Sequence, residues 1–363
     1  MERLTGAGRA SVGKPGDGLS GDSSIARILV IRPVHSLGNL VGLTALVTEL
    51  ESIFPSARID LVAGLGVTRD IFRNYANVGT IHVLPRRLLR HPLQTLGRIS
   101  NLRKRPYDLV INPGTKSGTG RMLGRLVRSR HHIHLDDWNP HGTKEQPQKH
   151  FAKQKVWQLR QLLNVPSSRL GEAVPPLDLR LAAAELDRGE NLLLDSMDGG
   201  VKPNKGVIAL STGATGDKCL GSDWWQDFVT GLQPAFADSE IIEILPHDRK
   251  SRLAYRFPTF HSLDVREVAA VIGAADLFIG ADSGLMHLGS AANLRTVGLF
   301  SITDPEEWGV YGGDRANVVV DECTGREVAL GIASTYSSLN TTARAPASGN
   351  TSDRAEAAGK AIE

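Results

Sequence analysis

Short apolar runs alternate with amphipathic stretches along most of this chain. Near the N-terminus, the run ILVIR at 28–32 predicts a buried strand, and a helix is predicted from about Leu40 to Phe54. The run ARIDLVA at 57–63 predicts the next strand, and Pro55 ends the helix before it. A strand, a helix and a second strand in this order are typical of a parallel sheet. The opening part of the chain is therefore predicted to be a parallel α/β domain.

The same alternation returns in the second half of the chain. Strands are predicted at Gly206–Leu210, Ile241–Leu245, Asp276–Gly280 and Thr296–Phe300, with helices between them. A stretch rich in Pro, Ser and Gly separates the two halves. The predicted division is a disordered leader at 1–24, an N-terminal domain at 25–164, a linker at 165–180, a C-terminal domain at 181–330 and a disordered tail at 331–363.

Composition adds limits to this α/β picture. A length of 363 residues with 41% hydrophobic residues is enough for two cores, and the formal net charge of +3 favours no particular partner. The two cysteines match no metal or disulfide spacing, which indicates a reducing compartment and a cytoplasmic location. The leader lacks the apolar segment of a signal peptide, and no apolar run is long enough to span a bilayer.

One segment carries the strongest sign of binding. The strand at 276–280 is broken by Ala281, Asp282, Ser283 and Gly284, and Asp282 or Ser283 is a good N-cap for a helix running to about Asn293. A strand that enters a helix through small residues places free N–H groups and the positive end of the helix dipole at one edge of the sheet. That geometry favours phosphate, and an ordinary capped helix is the alternative.

The residue pattern of this segment is more specific than its predicted geometry. The phrases DSGLMHL at 282–288, TVGLF at 296–300 and TDPEEWGVY at 303–311 resemble the C-terminal signature of the heptosyltransferase-like glycosyltransferases of family 9. A second resemblance comes from the N-terminus, where ILVIR, a Gly-containing loop, a helix and FPSARIDLV open the domain in the same way. The resemblance implies a GT-B type α/β fold, with two facing Rossmann-like domains built on parallel sheets.

The implied reaction is metal-independent, inverting sugar transfer from a nucleotide-diphosphate sugar to an acceptor, as in lipopolysaccharide core synthesis, and ADP-heptose is the expected donor. In this family the loop after the first strand of the second domain holds the donor pyrophosphate, and a lysine at the place of Lys218 offsets the charge of the departing diphosphate. A residue near 247 or 248 is expected to hold the ribose. The predicted donor site comprises Ser211, Thr212, Gly213, Thr215, His247, Asp282, Ser283, Gly284, Leu285, Met286 and His287.

One position departs from the family pattern. Members usually carry Asp directly after the loop glycine as general base, whereas Gly38 is followed here by Asn39. An amide cannot accept a proton at neutral pH, so the predicted catalytic residues are Lys218, Asn39 as an orienting group, and His35 as a substitute base. Three alternatives remain. The acceptor could already be nucleophilic, the base could come from elsewhere, or the chain could be a catalytically silent nucleotide-sugar binding protein.

The charge distribution concerns the acceptor. Twelve Lys and Arg residues lie between Arg86 and His132, against the single acid Asp108. They lack the aromatic interleaving or motif of a nucleic-acid binder, so an anionic glycolipid or small-molecule acceptor, or peripheral contact with the inner face of the plasma membrane, fits better. A solvated basic face without a ligand is the alternative. A small natural product is the alternative acceptor. No cofactor is expected, and the spacing of the histidines between His131 and His141 matches no metal site.

Overall fold

The chain is described here from a computed structural model, which covers residues 19, 22, 24–85, 92–114, 118–137, 148–197, 205–246, 248, 250–292 and 295–336. The strands are β1 (Arg27–Arg32), β2 (Arg58–Ala63), β3 (Val78–Val83), β4 (Tyr107–Asn112), β5 (Ser129–His134), β6 (Gly206–Ser211), β7 (Ser239–Ile244), β8 (Thr259–Phe260), β9 (Leu277–Ala281), β10 (Thr296–Phe300) and β11 (Arg315–Val319).

The helices alternate with these strands. They are α1 (Leu37–Ile53), α2 (Thr68–Ile71), α3 (Pro92–Arg103), α4 (Gly118–Leu126), α5 (Lys153–Leu162), α6 (Ser167–Leu170), α7 (Ala183–Ser196), α8 (Ser222–Ala235), α9 (Val265–Gly273), α10 (Gly284–Ser290), α11 (Pro305–Trp308) and α12 (Gly325–Tyr336). Single 3-10 turns lie at Leu135–Asp137 and Gly216–Lys218. None of the helices in the described ranges is long and apolar enough to cross a membrane.

The strands form two parallel sheets with related topologies. The first has the order β3-β2-β1-β4-β5, and the second has the order β11-β10-β9-β6-β7-β8. In each domain, the chain first adds strands on one side of that domain's first strand and then crosses to add strands on its other side. This is the doubly wound order, and the point of reversal lies beside the first strand. The reversal lies between β1 and β4 in the first sheet and between β6 and β9 in the second. Ligands of such sheets bind at the carboxyl ends of these strands, so each domain contributes one crevice. The predicted pair of parallel α/β domains is confirmed.

The two domains share a continuous apolar core. The largest buried cluster runs from Ile28 and Val30 under the first sheet, through Leu46 of α1, to Ala269 of α9 and Leu288 of α10 in the second domain. Helices α1 and α10 approach closely at two glycines. A β-carbon at Gly38 would lie 2.6 Å from His287 Cδ2, and one at Gly284 would lie 2.8 Å from Leu37 Cβ. Only glycine permits this approach, which brings the N-terminal ends of both helices together.

A buried arginine of the second domain holds the connecting segment against the first domain. Arg266 of α9 is 2% exposed and pairs with both carboxylate oxygens of Glu185, at 2.5 and 2.7 Å. Its Nη1 also donates to the carbonyl oxygens of Asp70 in the first domain, at 2.9 Å, and Leu179 in the connecting segment, at 3.1 Å. The Arg266 guanidinium lowers the pKa of Glu185 to about 2. The predicted linker is thus packed, with the short helix α6 inside it and Leu179 fully buried.

One predicted boundary needs correction. Helix α12 extends to Tyr336, with Ile332, Ala333 and Tyr336 buried, so the predicted disordered tail at 331–363 begins too early. The segment packs because its apolar residues recur at helical spacing against α8, despite the Ser, Thr and Ala around them. Most of the predicted leader at 1–24 and residues 337–363 lie outside the described residues.

Candidate active site between the domains

The carboxyl edge of the second sheet gathers most of the predicted donor residues. Ser211 ends β6 and is fully buried, and Thr212 follows it at 1% exposure. Thr212 Oγ1 donates to Glu243 Oε1 at 2.7 Å, and Glu243 also accepts from Ser251 Oγ at 2.5 Å. Glu243 is fully buried on β7. It was missed in the sequence, although an acid inside the apolar run IIEI at 241–244 is a usable signal of a buried, hydrogen-bonded carboxylate.

Lys218 lies at the same edge and is paired. Its Nζ is 3.1 Å from Asp282 Oδ2, and the lysine side chain is 27% exposed whereas that of Asp282 is 5% exposed. Thr303 Oγ1 donates to the same Asp282 oxygen, and Ser301 Oγ donates to the Lys218 carbonyl oxygen at 3.2 Å. The loops after β6, β9 and β10 therefore meet around one ammonium group. An ammonium has three donors, and this pairing with Asp282 leaves further donors for an anion at the edge.

The helix after β9 begins as predicted. Ser283 is the N-cap of α10, and its Oγ accepts from the Met286 N–H at 3.4 Å. Gly284 and Leu285 follow at intermediate exposure in the first turn, while Met286 is buried against Phe300 and Val310. The helix ends at Ser290, short of the predicted Asn293, which lies outside the described residues.

His287 lies in a different environment from the other predicted donor residues. It is 3% exposed at the seam between the domains, with its ring 5.0 Å from that of Phe151 and close to Gly38. Burial lowers the pKa of His287 to about 4, although Asp282 acts in the opposite direction. The ring is therefore neutral at physiological pH. Its role in donor binding stays a prediction.

The remaining donor residues complete the edge. Gly213 lies against Pro246 in the loop after β7, and a β-carbon there would be 3.0 Å from Pro246 Cβ. Thr215 is exposed and precedes the 3-10 turn that carries Lys218. His247 lies outside the described residues, and its alternative Asp248 is exposed in the same loop. Within the described ranges, no group of His, Cys, Asp and Glu is arranged to hold a metal ion.

The carboxyl edge of the first sheet holds the predicted catalytic pair. Asn39 lies in the first turn of α1, where its Oδ1 accepts from Arg32 Nη2 at 3.1 Å and its Nδ2 donates to Ser36 Oγ at 2.7 Å. His35 is exposed in the loop before α1, and its ring lies against Gly64 after β2. Gly38 and Gly284 place this edge beside the N-terminus of α10. The structure therefore brings the Asn39 loop and the Ser283 loop to one interdomain site.

A second ion pair lies near Arg32. Lys155 of α5 pairs with Asp136 after β5 at 2.8 Å, and the two side chains are 15% and 12% exposed. Burial lowers the pKa of the Arg32 guanidinium, and the Asp136 carboxylate opposes that shift. None of these three residues was predicted to belong to the active site. A cation at the end of an otherwise apolar strand, as in ILVIR, is the signal that marks Arg32.

The segment before α5 fastens the two domains beside this site. Phe151 N–H donates to the Glu307 carbonyl at 2.9 Å, and its ring stacks on Trp308 with centroids 5.1 Å apart. His150 Nδ1 accepts from the Ala152 N–H at 3.2 Å, so Nε2 carries the proton and donates to the Gly309 carbonyl at 2.8 Å. Burial lowers the pKa of His150 to about 4. We call residues 148–153 the clasp segment.

Comparisons with known proteins agree with this architecture. Residues 260–329 match the model of glycosyltransferase family 9 (heptosyltransferase). No curated protein gives a significant match to the chain.

Solved structures match over most of the chain. A family 9 glycosyl transferase from Veillonella parvula has a TM-score of 0.67 at 15% identity, covering 83% of this chain and 88% of its own. The E. coli heptosyltransferase WaaC with ADP has a TM-score of 0.63 at 18% identity, covering 85% and 99%. The E. coli ADP-heptose lps heptosyltransferase II has a TM-score of 0.62 at 13% identity, covering 85% and 98%. These likenesses confirm the predicted two-domain GT-B type fold.

Proposed function

We propose that this chain, a heptosyltransferase-like glycosyltransferase, moves a heptose from ADP-heptose to an acceptor held by the N-terminal domain, as in lipopolysaccharide core synthesis. One observation carries the proposal. The N-terminus of α10 and the hydrogen-bonded group Lys218, Asp282 and Thr303 lie on one side of the Gly38–Gly284 contact, and the loop of Asn39 lies on the other side. The ADP of the WaaC structure and the ADP-heptose named for heptosyltransferase II support this donor.

The donor diphosphate is proposed to lie between the N-terminus of α10 and the loop carrying Thr212, Gly213 and Thr215. The backbone N–H groups at both strand ends and the helix dipole favour a negative charge there. Displacement of ADP from the anomeric carbon increases the charge on the departing diphosphate, and the Lys218 ammonium stabilises that charge. Since Asp282 is 5% exposed and bonded to Thr303, it holds the ammonium at the edge of the sheet.

The proposed reaction is a direct displacement with inversion, without a covalent intermediate or a metal. The acceptor attacks from the side of the first sheet, where Asn39 orients it. Asn39 does not take a proton, because an amide is not basic at neutral pH and its Oδ1 already accepts from Arg32. The reaction then needs His35 as base, a base from elsewhere in the chain, or an acceptor that needs no deprotonation.

The amide at position 39 also supports a second candidate, a protein that binds the nucleotide sugar without turning it over. Two measurements separate the candidates. Calorimetry with ADP tests the donor site, and steady-state release of ADP from ADP-heptose with a panel of lipopolysaccharide core and natural-product acceptors tests transfer. Binding with acceptor-dependent ADP release is the expected result. Binding without turnover for every acceptor would support the silent binding protein, and absence of binding would reject both.

A further inference from the structure

We infer that the first domain carries a separate binding site for a phosphate-bearing ligand, at the edge of its sheet opposite the interdomain site. The site is a cavity of about 620 Å³ at the amino ends of the strands. We call it the amino-end cavity. Its walls include Arg27, Arg58, Asp60 and His82 on the strands, and Lys104 and Arg105 just after α3.

One face of the first sheet changes from apolar to charged along its strands. Toward the carboxyl ends, the face that α3 and α4 cover is buried and apolar, with Leu29, Ile31 and Val62 in one cluster. Because side chains alternate along a strand, Arg27 of β1 and Asp60 of β2 lie on this same face. Charged groups beneath a helix layer cost free energy unless they are paired or bind a ligand. The amino half of this face is therefore a polar chamber beside an apolar core.

A β-bulge opposite Asp60 shapes the chamber. The register between β2 and β3 shifts by one residue at Asp60, so Gly79 and Thr80 of β3 both lie opposite it. The Thr80 N–H donates to Asp60 Oδ1 at 2.7 Å. A β-carbon at Gly79 would lie 2.5 Å from the same oxygen and nearer still to Arg58 Nε. A bulge and a strand glycine of this kind re-aim side chains and allow a close approach, which are features of binding sites.

Asp60 organises the arginines and is itself satisfied. It is 4% exposed, and its Oδ2 accepts from Tyr107 Oη at 2.9 Å and from Arg27 Nη2 at 3.3 Å. Arg58 Nε lies 3.8 Å from Oδ1, which also accepts from Thr80. The Arg27 guanidinium lies over the Tyr107 ring, 5.0 Å from its centroid. The one buried carboxylate thus fixes two guanidinium groups in the wall of the cavity.

The amino-end cavity keeps an excess of positive charge. Its four lining cations are Arg27, Arg58, Lys104 and Arg105. Against the carboxylate of Asp60 they leave a net charge of +3 while His82 is neutral, and burial lowers the pKa of the His82 imidazole. Lys104 and Arg105 are exposed, and their side chains have no ion pair among the described residues. Arg27 Nε is buried without a hydrogen-bond partner in the same part of the chain.

Cations that converge on one space in this way are suited to a phosphate group. Guanidinium groups bind phosphate oxygens in pairs, and a phosphate monoester carries about two negative charges at neutral pH, which matches this charge better than a carboxylate does. A cavity of this volume lies in the range of small-molecule sites, so it admits a phosphate attached to a small polar group. A free sugar or polyol phosphate and the headgroup of an anionic lipid both present such a group.

Glycerol 3-phosphate is the probe, because it carries the phosphate of both sources on a small polar body. Calorimetry on the full-length chain should give a Kd of about 1 mM or tighter, as expected for two or more charged hydrogen bonds. Neutral glycerol should give no measurable binding under the same conditions.

Paired variants locate the binding. Lys104→Gln with Arg105→Gln should raise the Kd for glycerol 3-phosphate about tenfold or more, because two charged donors are lost from the cavity wall. Arg103→Gln with Arg125→Gln is the matched control, since it removes the same charge from exposed positions of α3 and α4 that do not line the cavity. Thermal unfolding of both pairs should match that of the unmodified chain.

ADP binding separates this site from the interdomain site. Arg27 begins β1 and the Asn39 loop follows its end, so the strand places them about 17 Å apart at about 3.3 Å per residue. The affinity for ADP should therefore be the same in both variant pairs and in the unmodified chain. A failure of ADP to bind any of them would reject the proposed function and leave the glycerol 3-phosphate result standing by itself.

Vesicles distinguish the two sources of the phosphate. Flotation compares phosphatidylcholine vesicles with and without phosphatidic acid, whose headgroup is the lipid form of the probe. Binding that requires phosphatidic acid and falls only in the Lys104 and Arg105 pair would identify a lipid-borne ligand. Binding of glycerol 3-phosphate with no difference between the vesicles would identify a free one.

Three outcomes would overturn the inference. The first is no binding of either glycerol 3-phosphate or phosphatidic acid vesicles. The second is an equal loss in the two variant pairs, which would show general attraction of anions to a basic face. The third is binding of glycerol 3-phosphate that survives unchanged in the Lys104 and Arg105 pair, which would place it at another site such as the interdomain site.

Discussion

The carboxyl edges of the two sheets share one topology and differ in chemistry. At the second sheet, the buried carboxylates Asp282 and Glu243 hold a lysine and a threonine in place. At the first sheet, the strand-end cation Arg32 is held by the Asn39 amide, and the Asp136 carboxylate that acts on it through space is paired with Lys155. At the second sheet each of these charged groups therefore has an ion-pair or hydrogen-bond partner before any ligand arrives, whereas at the first sheet the hydrogen-bond partner of Arg32 among the described residues is a neutral amide.

Loop length explains part of this difference. Four residues, 33–36, join β1 to α1, so the helix N-terminus lies directly at the edge. Ten residues, 212–221, join β6 to α8, and this longer loop supplies the hydroxyl groups and the turn that carries Lys218. A doubly wound domain thus acquires its chemistry from the connections at the switch point rather than from its strands.

The largest expected effect is at Lys218, on the edge of the second sheet. Lys218→Ala should lower the rate of sugar transfer by about 30- to 1000-fold, because loss of one charge contact to a departing group typically costs about 2 to 4 kcal/mol of barrier. Affinity for ADP-heptose should change much less. The matched control is Lys205→Ala, which removes a lysine from the opposite end of β6, where Nζ contacts only the Ala237 carbonyl among the described residues. Near-normal turnover of Lys218→Ala would show that Lys218 has no role in catalysis and is an ordinary surface residue.

A second prediction concerns His150 of the clasp segment, which joins the two domains. The pKa of His150 is lowered to about 4 in the folded chain and is about 6.5 when unfolded. The unfolded state therefore binds more protons between these values, and the stabilisation present above pH 6.5 is lost as pH falls toward 4. Between pH 7 and pH 5 this loss should be about 2 kcal/mol for one histidine.

Urea unfolding measures this loss. His150→Gln keeps a donor for the Gly309 carbonyl but cannot titrate, so its free energy of unfolding should fall less between pH 7 and pH 5 than that of the unmodified chain. His287, whose pKa is also lowered to about 4, keeps part of the slope in the variant. Equal slopes in both proteins would mean that His150 is not kept neutral by the clasp segment.

The smallest expected effect is at Ser283, where two variants distinguish repulsion of the diphosphate by a charge from loss of the helix cap. Ser283→Asp should weaken ADP binding about tenfold, because a carboxylate at the N-cap of α10 repels the diphosphate while still capping the helix. Ser283→Asn is the matched variant, since its side chain caps equally well without charge. Calorimetry should show the loss for Asp only. Equal affinity of both variants would place the diphosphate away from this helix and break the proposed contrast between the edges.

Much of this organisation could be predicted from the sequence. The runs ILVIR and TVGLF predicted β1 and β10 because fully buried parallel strands are continuously apolar. The small residues at 281–284 predicted the capped start of α10. Glu243 could not be assigned, since its partners Thr212 and Ser251 come from different loops and their proximity depends on the order of strands in the sheet. The clasp segment was equally hidden, because its contacts join residues about 160 positions apart.

The crossing of α1 and α10 also determines how the two domains can move. At Gly38 and Gly284 the helices are already in contact, so the domains cannot approach further there. A motion that brought these two helix ends nearer would be opposed by the Leu37 and His287 side chains, which lie against the opposite glycines. A larger side chain at either glycine would therefore push the two helix ends apart and change the spacing between the two edges on which the proposed reaction depends.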